Sequence, residues 1–111
     1  MQIKEQTQGA VMVLEPDGAL TQDDAEQFKT RLTEALAESS GRVVVDLSSV
    51  PFVDSRGLEV LVEANDALTA GGRALKLCSI NETLREVLDL TGLAVRFDHF
   101  DDMNSALRSF H

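Results

Sequence analysis

The sequence predicts an α/β fold, a mixed β-sheet with about four helices packed on it, in the order ββαβαβαβα. Two observations carry this. Val43-Val44-Val45 is a continuous β-branched apolar run, which suits a central strand covered on both faces better than one with a wet face. Around it, short apolar runs alternate with segments whose apolar residues recur at helical spacing, after a pair of strands close enough to form a hairpin. That alternation argues for right-handed crossovers between parallel strands.

Taken in order, Ile3–Gln8 alternates weakly and reads as an edge strand, its Lys4, Glu5, Gln6 and Gln8 discouraging edge-to-edge pairing. Gly9-Ala10 turns the chain into Val11–Leu14, and Pro16-Asp17-Gly18 is expected to break that strand. Thr21 is placed to cap a helix running to about Glu38, with Asp23 and Asp24 in its first turn and Ala25, Phe28, Leu32, Ala35 and Leu36 on its apolar face. Ser39-Ser40-Gly41 closes it, and the core strand Val43–Leu47 follows.

Asp46 ends the valine run, and Ser48-Ser49-Val50-Pro51 reads as a turn, because Pro51 has no N–H to give a ladder. Phe52 and Val53 are expected to return to the core. Asp54 is a good N-cap for a helix carrying Leu58, Leu61, Val62, Ala64, Ala67 and Leu68 on one face, stopped by Gly71-Gly72. Ala74–Cys78 reads as a buried strand. Asn81 caps a helix with Leu84, Val87 and Leu88 inward, ended by Gly92. Val95-Arg96-Phe97 reads as a short strand, and Asp101 or Asp102 starts a last helix with Met103, Ala106, Leu107 and Phe110 on one face.

The 111 residues suit one domain, 1–111, with no repeat, low-complexity stretch or linker. With 43% apolar residues the chain is not of disordered composition. It has no Trp or Tyr and five Phe, so the core must rest on Val, Leu and Ala. No apolar run approaches the roughly 20 residues of a membrane span, and MQIKEQTQ has no signal-peptide apolar region. The single Cys78 cannot form an internal disulfide. A cytoplasmic location is the expectation. A net charge of −9, from ten basic and nineteen acidic residues, opposes nucleic-acid and anionic membrane partners.

Catalytic chemistry is not expected. His99 and His111 have no Cys or second His at metal spacing, Ser55 lacks a G-x-S-x-G elbow, and there is no P-loop or dinucleotide fingerprint. No cofactor or metal is called for, and Asp23-Asp24 and Asp101-Asp102 read as helix-start acids. The crevice at the carboxyl ends of the core strands is where an α/β sheet would bind a partner, gathering Gly18–Thr21, Asp46–Ser49 and Asp54–Gly57. Ser55 stands at the first residue of a helix, where an anion is favoured. The spacing leaves two readings open, a capping pair Asp54-Ser55 or a site for an added phosphate carrying roughly −1.5 to −2 charge.

The segment Val43–Leu61, with DLSSVPFVDSRGLEVL, resembles the core motif of the STAS domain family in its bacterial anti-sigma factor antagonists. VMVLEPDGAL is similar to that family's second strand and G-x-L turn, and GGRALKLCSINETLREVLDLTGL to its later strand and the helix before its T-G-L motif. The resemblance covers nearly the whole chain. It implies a STAS-like fold and Ser55 as phosphoacceptor, with a partner-binding surface of Gly18, Leu20, Thr21, Asp46, Ser48, Asp54, Ser55, Arg56, Gly57 and Leu58. It implies a serine protein kinase that doubles as an anti-sigma factor, bound while Ser55 is unphosphorylated, a PP2C-type phosphatase that resets the switch, and a monomer or weak dimer. The alternative it carries is a docking subunit of an ABC-type lipid transport complex. The chain departs from the family pattern at Arg56, where Ser or Thr is usual, at Glu59, where a second Gly is common, and at Thr21, where an acid is common. Arg56 could pair with a phosphate on Ser55, with Asp54 or with Glu59.

Overall fold

The computed structural model describes residues 1–110; His111 lies outside the described residues. The strands are β1 (Gln2–Gln8), β2 (Val11–Asp17), β3 (Val43–Asp46), β4 (Lys76–Cys78) and β5 (Asp98–Phe100). The helices are α1 (Gln22–Glu38), α2 (Ser55–Thr69), α3 (Glu82–Leu90) and α4 (Met103–Arg108). All five strands form one sheet in sequential order, β1-β2-β3-β4-β5. β1 and β2 make the expected antiparallel hairpin, and every later pairing is parallel, so the sheet is mixed. β3 is central, and Val43, Val44 and Val45 are 0–1% exposed, as their unbroken apolar run required.

The period-2 alternation of β3 divides the core into two. Val43, Val45 and Leu47 pack with Phe28 and Leu32 of α1, Leu61 and Leu68 of α2, and Leu84 and Leu88 of α3. Val44 faces the other way, with Val11, Val13, Cys78 and Ala106 of α4. Cys78 is fully buried there, and burial above all, then the charge of Asp46, pushes its thiol up to about 11. At pH 8 about one thiol in a thousand is then ionised. Ellman's reagent should leave Cys78 unmodified in native buffer and label it fully in urea. Rapid stoichiometric labelling of the folded protein would contradict this placement.

Several local expectations differ from the structure. Pro16 does not end β2 but lies within it, opposite Ile3. The parallel ladder with β3 stops at Leu14↔Val45, so beyond it β2 is an edge on that side and a missing N–H costs no bond there. Val95-Arg96-Phe97 is not a strand. Ala94–Arg96 is a 3₁₀ turn closed by Arg96 N–H to Leu93 O at 2.9 Å, Val95 is exposed, and only Phe97 turns inward. β4 begins at Lys76, because Leu75 N–H donates to the side chain of buried Asn65 at 2.8 Å instead of to a strand. The buried face of α2 runs through Gly57, Val60, Leu61, Asn65 and Leu68, while Ala67 is exposed. Of the helix starts, Asn81 and Asp102 cap as expected, accepting from Leu84 N–H at 2.8 Å and Ser105 N–H at 2.7 Å.

Candidate functional site

The site is built where the loop after β2 meets the start of α2. Leu20 bridges Val53 in parallel fashion, with Leu20 N–H donating to Phe52 O and Asp54 N–H to Leu20 O, both at 3.1 Å. Gly18 N–H donates to Ser49 O at 2.9 Å. Two loops far apart in sequence are thus zipped together by main-chain bonds. Gly57 sits at this seam. A Cβ there would overlap Leu20 O and Val53 Cγ1 and lie 3.1 Å from Leu20 Cβ.

Asp54 serves two helices. Its Oδ1 accepts Gly57 N–H at 2.8 Å, capping α2, and its Oδ2 accepts Gln22 N–H at 3.1 Å, at the start of α1. Thr21 holds the N-cap position of α1 but makes no side-chain cap bond, so the capping expected of it falls to Asp54. Gln22 is in the left-handed region at φ +42°, a conformation costing roughly 1–2 kcal/mol for a non-glycine residue, and the Asp54 bond helps hold it there. Asp54→Ala should cost about 1–3 kcal/mol, since two helix-start donors lose one carboxylate. Thr21→Ala should cost less than about 0.5 kcal/mol. Urea unfolding of both variants checks this, and equal losses would contradict the double cap.

Ser55 is the first residue of α2 and is exposed, and among the described residues its hydroxyl has no hydrogen-bond partner. Arg56 is not turned toward it. Its guanidinium pairs with Glu26 of α1, with Glu59 at 2.9 Å and with Glu63 at 3.3 Å. Of the partners open to Arg56 from sequence, Glu59 is taken and Asp54 is not. The Arg56 hydrogen bond holds the Glu26 carboxyl below the usual carboxylate range, and bonds from Lys29 and then Arg56 do the same for Glu63. These pairs are therefore complete at neutral pH and are released only as pH falls through those lowered values.

The residues expected at the site separate into groups. Gly18, Thr21, Asp54, Ser55, Arg56 and Leu58 lie along the zipped seam, whereas Leu20 is fully buried and Gly57 is buried, so both support the surface from beneath. Asp46 turns to the α4 face of the sheet, beside Cys78, and its Oδ1 accepts Ser48 N–H at 3.0 Å. Ser48 is exposed at that turn. At the carboxyl ends of the core strands, where a crevice is expected, the two loops form the zipped seam. A sheet in sequential order has no point where the strand order reverses, which is what opens such a cleft. Ser55 is exposed on this seam and Gly18, Thr21, Asp54, Arg56 and Leu58 are partly exposed, and two grooves lie away from it.

Phe52, expected in the core, is 51% exposed beside the seam. The Asn81 side chain donates to Val50 O at 3.2 Å and Pro51 O at 3.1 Å, holding the loop so that the ring stands outward. Its apolar character pointed inward, and only Pro51 before it marked a loop.

Residues 2–106 match the STAS domain family. The chain belongs to that family. Among curated STAS relatives, the anti-sigma F factor antagonist of Paenibacillus polymyxa is 23% identical over 108 residues, spanning 96% of this chain and 92% of its own length. The crystal structure of a candidate anti-sigma factor antagonist from Thermotoga maritima superposes with a TM-score of 0.88 at 26% identity, covering 96% of this chain and 92% of that one. The Bacillus cell fate determinant SpoIIAA in its phosphorylated form shares the fold, with a TM-score of 0.74 at 17% identity, covering 99% of this chain and all of that one. These likenesses bear out the STAS-like α/β fold with four α-helices among the described residues, and they place the chain beside proteins named as anti-sigma factor antagonists. Among the described residues, no helix is long and apolar enough to cross a membrane.

Proposed function

We propose that this chain, as one domain, is an anti-sigma factor antagonist of the cytoplasm, and that phosphorylation of Ser55 switches its binding. The exposed, unpartnered Ser55 at the start of α2 carries this reading. The partner surface is the seam of Gly18, Thr21, Asp54, Ser55, Arg56 and Leu58, with exposed Phe52 as its apolar anchor and Leu20 and Gly57 as its support. Asp46 and Ser48 act through the conformation of the adjoining turn.

A serine kinase that is also an anti-sigma factor binds this surface while Ser55 is unmodified, and a PP2C-type phosphatase restores it. Arg56 supports disruption over tolerance of the phosphate. The new charge would have to draw that guanidinium from three carboxylates, and otherwise adds to an acidic surface. The fold need not change, because charge at a helix N-terminus is compatible with α2.

The test is capture from host lysate with wild-type, Ser55→Ala and Ser55→Asp baits, followed by affinity measurement with the captured protein. A kinase-like anti-sigma factor should bind wild-type and Ser55→Ala alike and Ser55→Asp about tenfold or more weakly. Equal binding by all three would refute the switch. A transporter subunit indifferent to Ser55 would assign the chain to docking instead.

A further inference from the structure

At the opposite end of the sheet from Ser55, where the parallel strands begin, lies a groove of about 720 Å³. Its walls are the loop before β3, the loop before β4 and the end of α4. Four of the chain's ten basic residues line it, Arg42, Arg73, Lys76 and Arg96, and the one acid among its lining residues is Asp98. This concentration occurs in a chain whose net charge is −9.

The pairing of these four cations is incomplete. Lys76 Nζ reaches Asp98 at 3.5 Å and lies 4.7 Å from the centre of the Phe110 ring. Arg96 approaches Asp66 only to 3.9 Å, beyond hydrogen-bond length. Arg42 and Arg73 have no carboxylate partner among the described residues, and Arg73 spends one donor on Ser40 O at 2.9 Å. Of the six basic residues outside the groove, Lys29, Arg31, Arg56 and Arg85 pair with acids, and Lys4 and Arg108 stand apart from each other without an ion pair among the described residues. Two guanidiniums without a carboxylate partner among the described residues, in one groove, are suited to an anion from outside.

We infer that this groove binds a small ligand bearing two linked phosphate groups, with Arg42 and Arg73 each presenting a guanidinium fork to one of them. Planar forks match phosphate oxygens in pairs, and the volume is that of a small-molecule site. A long polyanion fits less well, because the chain as a whole carries a net charge of −9. The site is separate from the Ser55 surface and stands or falls independently of it.

Inorganic pyrophosphate titrated into the ¹⁵N-labelled protein is the test. Saturable amide shifts should appear at Gly41, Arg42, Gly72, Arg73 and Ala74, and orthophosphate should give weaker ones. Arg42→Ala and Arg73→Ala should each weaken binding about tenfold. Arg73→Ala also removes the bond to Ser40, so Arg42→Ala, whose side chain has no hydrogen bond among the described residues, keeps the test clean should the other variant fail to fold. The inference is overturned if no saturable shift appears up to about 10 mM pyrophosphate. It is equally overturned if Arg42→Ala leaves binding unchanged, or if heparin or duplex DNA binds the same groove more tightly than pyrophosphate.

Discussion

Gly57→Val should lower stability by roughly 3 kcal/mol and weaken partner binding with it. The added Cβ would meet the main-chain oxygen of Leu20 and the Val53 side chain, and an oxygen held in a backbone bond to Asp54 N–H cannot rotate aside. Relief requires α2 to draw back from the Leu20 loop. That motion strains the Leu20–Val53 bridge and lengthens the Asp54 bond to Gln22, the contacts that form the seam. A loss of that size in a chain of this length lowers the melting temperature by about 10–20 °C. Gly57→Ala should show the same effect in smaller measure, because the conflict begins at Cβ. Thermal unfolding with partner-affinity measurement on both variants checks the argument. A Gly57→Val protein with wild-type melting temperature would mean that the seam is looser than its geometry.

Leu61→Ala should cost about 2–5 kcal/mol. Leu61 is fully buried in the cluster joining α2 to the sheet, among residues of α1, α2, α3 and β3. Truncation removes apolar burial and leaves a void that rigid neighbours from several elements cannot all fill. Against a total stability of about 5–15 kcal/mol, that is a large fraction. Leu58, one turn earlier and only half-buried, gives the contrast. Leu58→Ala should cost distinctly less than Leu61→Ala while affecting the surface more. Urea unfolding of the two variants separates core from surface on the same helix, and equal losses would contradict the packing.

The order of elements was legible in the sequence because it rests on local signals. The β-branched run at Val43–Val45, the helical spacing of Ala25, Phe28 and Leu32, and the caps Asp54 and Asn81 act within a few residues. Ser55 at a helix start was legible for the same reason. Elements decided by distant partners were not. Pro16 stays in β2 because the ladder with β3 has already ended, and β4 starts late because Asn65, on another element, takes the Leu75 N–H.

The site shows the same division. The sequence by itself determined which residues stand at the helix start, Asp54, Ser55 and Arg56, and the helix that presents them, since capping and periodicity are properties of neighbours along the chain. Only the tertiary structure decided what they face. Asp54 reaches 32 residues back to Gln22, Arg56 reaches Glu26 on α1, Phe52 stands in solvent, and Asp46 points to the far side of the sheet. Each depends on how the Leu20 loop and α1 lie against α2. That arrangement is set by burial summed over the whole core and by strand order, which no local pattern encodes.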